Sequence, residues 1–414
     1  MRVWHGTLSV AAATLLVIGA GCTTEAVKPA SLTAGTSSAA STVSKTQFVG
    51  SDTCQKCHED EFKTWKGTSH SRMVRTVKDG LLKDSLDNWA KDAKGNAGPT
   101  KANITGTPAK LDDVVYVIGS KWKQRFLVKN PLTGNHQFLD KQWNRASNAW
   151  EGYGQKNDWE TQCATCHATG YKITAYDPKN TAAMKVSMTE MNTGCEACHG
   201  PGAVHAKSKK AADIFNPRKA SKAEADKVCG YCHVRVENDQ WLTAQGNHSE
   251  HMPHPVMGES YKAGQDDWTK WYPEKLLAPG VHAEDAINKN YPNTDLNNAF
   301  FIDEAAQKSG YFEGRKHHQE YQEHLQSKHA KQGKAGCLDC HSLHVVEGKK
   351  TVAPGDTCKT CHNDAKTADY KAMMPGLSQT AGGLFVRSHT FNPNPRKGGT
   401  TGDMLPPPVY AYPK

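Results

Sequence analysis

Twelve of the thirteen cysteines in this 414-residue chain stand in one repeated pentapeptide, Cys-x-x-Cys-His. Two intervening residues put both thiols on one side of a short helical turn, and the histidine follows directly. This pentapeptide is the attachment site of c-type haem, in which both thiols form thioether bonds and the histidine binds the iron. The repeat predicts six covalently bound haem c groups. Motifs 1 to 6 are, in order, Cys54/Cys57/His58, Cys163/Cys166/His167, Cys195/Cys198/His199, Cys229/Cys232/His233, Cys337/Cys340/His341 and Cys358/Cys361/His362.

Three other cysteine chemistries were weighed against haem attachment. The pairs in motifs 2 and 3 have a spacing that suits a zinc ribbon. A single Cys-x-x-Cys can be a redox disulfide, and many cysteines in an exported chain can form a disulfide framework. None of these explains why a histidine follows every second cysteine in a chain with only 20 histidines.

The N-terminus has the pattern of an export signal. Arg2 precedes an apolar run from Leu8 to Ala20, which is too short to span a membrane. The following residues, up to Cys22, resemble a bacterial lipobox with Gly19 in place of the usual leucine. We expect Cys22 to be diacylated, and ordinary signal-peptidase cleavage is the alternative. No Asp follows Cys22, which favours anchoring in the outer membrane, facing the periplasm or the cell surface.

Composition divides the chain into four predicted parts. Residues 1–21 are the signal peptide, and residues 22–46 are the lipidated N-terminus with a flexible tether rich in Ala, Ser and Thr. Residues 47–391 form the hexahaem cytochrome c domain. Residues 392–414 are a Pro/Gly-rich tail.

The predicted fold class is mostly α with much irregular structure, organised by the haems, with a small β-hairpin insertion. The chain is only 37% hydrophobic, so the porphyrins must supply much of the core, and we expect haem-free protein not to fold. The hairpin is predicted from Val114 to Val128, returning at His136 to Leu139. Residues Arg315 to Lys331 contain no Gly or Pro and predict the longest helix.

The formal net charge of +9 does not indicate nucleic-acid binding. Each haem brings two propionates, which offset most of this charge. The lysines are therefore expected to pair with propionates and to dock protein partners.

Electron-carrying haems need a second axial ligand, and fourteen of the 20 histidines lie outside the motifs. His344 follows His341 by three positions, so it cannot reach the far side of the same iron and should bind a neighbouring haem. Alternatives on the stretch after Arg315 are His317 and His324; further alternatives are His248, His251, His254, His282, Met252 and Met257. The preferred distal set is His70, His205, His318, His329, His344 and His389.

Around the motifs the chain resembles the multihaem cytochrome family typified by the tetrahaem cytochrome of ammonia oxidation. The resemblance covers roughly residues 50–365 and implies a mostly helical fold with close-packed haem pairs that transfers electrons. It is carried by Ser51 to His58 with Trp65 and His70, by Trp159 to His167, by Gly194 to Gly202 with His205, and by His317 to Tyr321 followed by Ser327 to His329 and Cys337 to His344.

Three functions were compared. The first is an electron conduit between periplasmic or cell-surface redox proteins, or to an extracellular acceptor, which makes the chain a carrier more than an enzyme. The second is an oxidoreductase of a small nitrogen or sulfur compound, which needs one iron with an open position. All six motifs end in histidine, which argues against the altered attachment site of pentahaem nitrite reductases. The third, a subunit of an extracellular filament, has no supporting pattern.

Overall fold

The structure, a computed structural model, describes residues 44–177, 184–235, 238–242, 248–249, 258–270, 300–344, 354–363, 370–377, 386–397, 405 and 407–412. For residues 238–242, 248–249 and 354–356 the backbone alone is described. All these residues lie in one compact unit, Val43–Lys414. The predicted signal peptide and Cys22 lie outside the described residues.

The helices are short, and most of them stand at the motifs. Among the described residues, no helix is both long and apolar enough to cross a membrane. They are α1 Ser51–Gln55, α2 Glu59–Lys66, α3 Val77–Gly80, α4 Lys83–Asp87, α5 Trp159–Gln162, α6 Ala164–His167, α7 Cys195–His199, α8 Ala203–Ser208, α9 Lys222–Gly230, α10 Glu304–Ser309, α11 Glu320–Gln326, α12 Lys328–Lys331, α13 Cys337–Cys340, α14 Pro354–Lys359 and α15 Tyr370–Met373.

Strands are concentrated between motifs 1 and 2. They are β1 Val74–Thr76, β2 Val114–Ile118, β3 Lys123–Lys129, β4 His136–Phe138, β5 Lys141–Asn144, β6 Ala149–Gly152, β7 Ala168–Thr169, β8 Lys172–Ala175, β9 Lys185–Ser187, β10 Glu190–Met191, β11 Asn238–Leu242 and β12 His248–Ser249.

The mostly α prediction is wrong. The structure is 33% helical and 18% strand, and its largest element is a six-stranded sheet of order β1-β2-β3-β5-β6, with β4 paired to β3. The predicted hairpin is the β3–β4 part of this antiparallel sheet, with Leu127 opposite Phe138. No motif lies between residues 59 and 162, so this stretch has no porphyrin to pack on and buries its apolar residues in a sheet instead.

The two faces of the sheet pack into two different hydrophobic cores. Side chains alternate across a strand, and in β3 the fully buried Phe126 and Leu127 point to opposite faces. Phe126 packs with Trp143 and Trp150 in a core made by the sheet and its own loops. Leu127 packs with Trp159 at the start of α5, which leads into motif 2. The sheet therefore forms one wall of the motif 2 site.

The long helix predicted from Arg315 to Lys331 is also not formed. His318 has φ 61°, outside the right-handed helical region, and α11 begins only after Gln319. Ser327 then interrupts the helix with extended backbone, and its hydroxyl accepts a hydrogen bond from Ala330 N to cap α12. Ser327 is a favourable N-cap residue. The helix prediction counted only the lack of Gly and Pro and did not consider this cap.

Part of the predicted C-terminal tail packs against the core of the sheet region. The backbone of Val409 and Ala411 forms hydrogen bonds with Lys83 and Leu81, at 2.9 and 2.8 Å. Tyr410 lies between them, and the guanidinium of Arg75 stands 4.8 Å from the centre of its ring.

Candidate functional site

Each motif folds into a single helical turn. In motif 3 the whole pentapeptide is helix α7. In the other five, the histidine amide donates to the carbonyl of the first cysteine, four positions earlier. These bonds are His58 to Cys54 at 3.0 Å, His167 to Cys163 at 3.1 Å, His233 to Cys229 at 3.0 Å, His341 to Cys337 at 2.9 Å and His362 to Cys358 at 2.9 Å. Two thiols and one imidazole thus start from the same turn in every motif.

The cysteines form no alternative site in the part of the chain that is described. All twelve motif cysteines are free thiols. Within the described ranges, no group of three or more His, Cys, Asp or Glu residues gathers as a metal site. The zinc-ribbon and disulfide interpretations therefore have no structural support there.

The twelve predicted attachment cysteines differ in exposure. The second cysteine is exposed in motifs 1, 5 and 6, at Cys57, Cys340 and Cys361, whereas Cys166 of motif 2 is buried. The difference has a physical reason: motif 4 packs on motif 2, with the Cys166 thiol 3.9 Å from the carbonyl oxygen of Tyr231. The exposed thiols instead have polar neighbours, Lys209 Nζ at 3.7 Å from Cys57 and the Thr360 hydroxyl at 3.7 Å from Cys361.

Histidines from outside the motifs stand opposite the motif histidines at a nearly constant spacing. The paired rings have centroids 6.0–6.3 Å apart. The pairs are His58–His205 at 6.1 Å, His233–His70 at 6.3 Å, His199–His344 at 6.3 Å, His233–His318 at 6.2 Å, His362–His329 at 6.0 Å and His341–His389 at 6.1 Å.

This spacing fits an iron between two imidazoles. Metal–nitrogen bonds to histidine are about 2 Å long, and the ring centroid lies about 1 Å beyond the nitrogen, so two axial rings are about 6 Å apart. Direct stacking would bring the rings closer, as for Tyr231 and Tyr261 at 4.0 Å. The histidine pairs therefore leave room for one metal ion each, and the residues present fit haem c.

All six predicted distal histidines lie in these pairs, each with the histidine of a motif. His344 lies beside His199 of motif 3 and not in a pair with the nearby His341. His233 has two neighbours, His70 and His318. His167 of motif 2 makes no ring contact with another described histidine. Which of these rings binds which iron stays a prediction.

The alternative distal residues are placed differently. His317 lies 4.4 Å from His318, ring to ring. His324 points its Nε2 at the Asp226 carboxylate, 3.2 Å away. His251, His254, His282, Met252 and Met257 lie outside the described residues, and only the backbone of His248 is described.

Burial keeps several of these imidazoles neutral. It lowers the pKa of His70 and His389 to about 4 and that of His318 to about 3. For His167, burial and then the positive charge of Arg125 lower the pKa to about 4. Neutral imidazole is the form that binds a metal ion.

The motifs touch one another in a branched series. Helix α1 of motif 1 packs on α7 of motif 3, and α9, which runs into motif 4, packs on α13 of motif 5. The thiol of Cys232 in motif 4 lies 3.9 Å from the carbonyl oxygen of Cys166 in motif 2. Helix α13 of motif 5 packs on α14 of motif 6. Motif 4 therefore stands at a junction.

Two carboxylates that support the site were missed at the sequence level. Glu196, inside motif 3, accepts the amides of Val49, Gly50 and Gly202 at 2.6–3.0 Å and so fixes the chain entering motif 1. Glu320 contacts the ring of His233. Val49 and Gly50 lie almost 150 residues from Glu196, and His233 lies 87 residues from Glu320, so no local pattern indicated these contacts.

Comparison with known proteins agrees with this geometry. The family model described as cytochrome c554 and c-prime matches residues 53–110 and 133–200, which include motifs 1 to 3. The cytochrome c-554 of Nitrosomonas europaea is 24% identical over 218 residues, which is 50% of this chain and 66% of that protein. The chain thus spans just under two thirds of this relative.

Solved structures give weaker matches. The outer cell wall cytochrome OcwA is 22% identical with a TM-score of 0.46, covering 82% of this chain and 65% of that one. The Wolinella succinogenes octaheme sulfite reductase MccA is 15% identical with a TM-score of 0.41, covering 86% and 61%.

Six attachment turns and the paired imidazoles are features of multihaem c-type cytochromes, and the family model and the curated relative show that the chain is similar to proteins of that class. Within that class, the family that its first three motifs match is that of cytochrome c554 and c-prime. This similarity supports covalently bound haem c.

Proposed function

We propose that this chain is a six-haem electron conduit that passes electrons between exported redox proteins, or to an extracellular acceptor. One observation supports it most: five of the six motif histidines have a second imidazole about 6 Å away. An iron with two imidazole ligands has no open position, so it exchanges electrons without binding a substrate.

The contacts between motifs support a continuous route. Motif 1 touches motif 3, motif 4 touches motif 5, and motif 5 touches motif 6. Motif 4 also neighbours motif 3, because Cys198 lies within electrostatic range of Cys229 and Cys232. Electrons would pass from motif 1 through motifs 3, 4 and 5 to motif 6, with motif 2 as a branch on motif 4.

The exposure of the attachment cysteines supports access from solvent at motifs 1, 5 and 6. Cys57, Cys340 and Cys361 are exposed, while Cys166 on the branch is buried. Of these three motifs, 1 and 6 stand at the ends of the series of contacts. A haem that is joined to an exposed thiol has one edge near solvent, where a redox partner can approach it.

The test combines haem counting with ferric EPR on the purified holoprotein. We expect six haems per chain by mass and pyridine haemochrome absorbance, and low-spin signals from at least five. Fewer than six haems, or a majority of high-spin iron, would contradict the proposal.

We further propose that a diacylated Cys22 anchors the hexahaem domain, residues 47–391, to the outer membrane through the tether at 22–46. The lipobox-like residues before Cys22 support this. Labelling with a palmitate analogue should mark the wild-type protein and not Cys22→Ala. Equal labelling of the wild type and Cys22→Ala, or no labelling of either protein, would contradict the lipid anchor.

A second function, oxidation or reduction of a small nitrogen or sulfur compound, is favoured by one observation at motif 2. His167 has no ring partner among the described residues, and its buried Nδ1 has no hydrogen-bond partner. Arg125, held by Gln142 at 3.0 Å, adds positive charge nearby, which suits an anion. A high-spin haem that binds CO, nitrite or hydroxylamine would support this function, and six low-spin haems inert to all three would exclude it.

A further inference from the structure

We propose that Glu320 lowers the reduction potential of the haem on motif 4 by accepting a hydrogen bond from its iron-binding histidine, His233. The inference deepens the proposed function, on which it rests for the assignment of His233 as an iron ligand. It concerns a positioning residue, because Glu320 acts on the iron only through His233.

The contact is on the ring nitrogen that faces away from the iron. In haem c the histidine binds iron through Nε2, which leaves Nδ1–H to a partner in the protein. His233 Nδ1 lies 3.2 Å from Glu320 Oε2, within the range of a hydrogen bond. The Glu320 side chain is 24% exposed, so water screens its charge only partly.

The backbone around this contact is fixed from both sides. Tyr321 N donates to the His233 carbonyl oxygen at 3.0 Å, directly beside Glu320. Gln322 accepts from Arg235 N at 2.9 Å and donates to Arg235 O at 2.7 Å. The start of α11 is thereby joined to the residues that follow motif 4, and the carboxylate is held where the ring needs it.

The acceptor that contacts Nδ1 of His233 differs from the acceptors at other histidines. His199 Nδ1 contacts the carbonyl oxygen of Phe215 at 2.9 Å, and His205 and His389 contact the carbonyl oxygens of Lys210 and Arg387 at 2.9 and 3.0 Å. These acceptors are neutral. Among the described contacts of the motif histidines and the preferred distal histidines, only that of His233 has a carboxylate as the ring partner.

The charge decides the direction of the effect. Ferric haem carries one positive charge more than ferrous haem, so a carboxylate next to its ligand stabilises the ferric form. The reduction potential of that haem falls. Because motif 4 contacts motifs 2, 3 and 5, the haem at this junction would be the last of its neighbours to be reduced, and every electron on the route must pass it.

The test is an EPR-monitored redox titration of the holoprotein and its Glu320→Gln variant at neutral pH. Glutamine keeps the length and an acceptor oxygen but removes the charge. We expect one haem to become easier to reduce by at least tenfold in its equilibrium constant, which is about 59 mV for one electron, with a change in the g values of one low-spin signal. Glu320→Asp keeps the charge and should restore the low potential at least in part.

The matched control is Glu59→Gln. Glu59 directly follows the iron-binding candidate His58, but its side chain is exposed and pairs with Lys63 at 3.0 Å. Removal of the Glu59 charge should leave the reduction potentials of all haems unchanged.

If Glu320→Gln retains six haems and all wild-type reduction potentials, the inference is wrong and the proposed electron conduit still stands. If Glu320→Gln cannot be purified, Glu320→Ala is titrated in its place, and wild-type potentials in that variant would likewise overturn the inference. A wild-type protein without haem on motif 4 would instead refute the proposed function.

Discussion

The imidazole rings of His58 and His205 lie 6.1 Å apart with 25° between their planes. One belongs to motif 1 and the other to α8, just after motif 3. Helix α1 also packs on α7 of motif 3. If both rings bind one iron, the haem on motif 1 is held by residues that belong to the motif 3 region, so these two haems form one structural unit.

His205→Ala should therefore leave one iron without its second axial ligand. We expect one of the six haems to become high-spin and to bind CO, with the haem count unchanged, as measured by ferric EPR and by visible spectra of the reduced protein under CO. Lys207→Ala, on the same helix, is the control and should keep the wild-type spectrum. A fully low-spin His205→Ala protein would show that this histidine is not a ligand.

His70 and His318 both face His233, at 6.3 and 6.2 Å, but an iron bound to His233 has only one axial position left. We expect only one of the two Ala variants to produce a new high-spin haem, and the double variant to produce no more than that one. Ferric EPR of the three proteins decides this. Two separate high-spin haems would mean that the two histidines serve different irons, and would assign the second to motif 2.

Gly230 lies inside motif 4 where α9 meets α11. A Cβ at this position would stand 2.7 Å from the Tyr321 ring, closer than side chains pack. Gly230→Ala should reduce the free energy of unfolding by about 1–3 kcal/mol through overpacking, beyond the small gain in helix propensity. Denaturant unfolding followed by circular dichroism measures it.

The control for that substitution is Gly152→Ala, since a Cβ at Gly152 meets no atom within 4 Å. It should change stability by much less. Equal effects of the two substitutions would mean that the contact between Gly230 and Tyr321 does not limit packing.

Asp92 links a tight turn to the sheet. Burial alone would raise its pKa, but hydrogen bonds from Asn96, Trp150 and Lys94 lower it to about 2, from an ordinary 3.8. The folded state therefore favours the charged form, and this stabilisation is present above about pH 4 and lost as the pH falls through 2.

Asp92→Asn should be less stable than the wild type at neutral pH, and the difference should shrink as the pH falls from 4 to 2. Urea midpoints at several pH values test this. Asp112→Asn serves as the control, since the Asp112 side chain is 83% exposed and its ion pair with Lys110 is long, at 3.8 Å. A difference that is independent of pH would exclude the carboxylate charge as its source.

The attachment turns could be predicted from the sequence because each is formed by five consecutive residues. Cys-x-x-Cys-His forms one turn whatever surrounds it, and histidines such as His344 could be selected by their distance from a motif. The pairing of His205 with His58, or of Glu320 with His233, depends on contacts between distant segments. No single-chain pattern indicates which of several available histidines arrives opposite a given motif.

The exposure of each attachment thiol was equally out of reach of the sequence. Cys57 and Cys361 stand in the same pentapeptide as the buried Cys166. What covers a motif is decided by segments from elsewhere in the chain, such as motif 4 beside motif 2, and the pentapeptide itself carries no trace of them.

The fold class was mispredicted for a related reason. The resemblance was carried by residues at the motifs, which are helical, and it was extended to the chain between them. Strand residues such as Trp143 and Phe126 were not weighed as a separate core, although the absence of a motif from that stretch removes the porphyrin on which the helices depend. Ser327 was likewise counted as helical when it caps a new helix.

The bonds from Val409 and Ala411 to the segment around Leu81 impose an order in time on folding. Those C-terminal residues follow motif 6 in the chain, whereas Leu81 lies shortly after motif 1. In a chain that crosses a membrane N-terminus first, these bonds cannot form until every attachment motif has emerged. The packing of Tyr410 and Ala411 against the core of the sheet region is thus a late event.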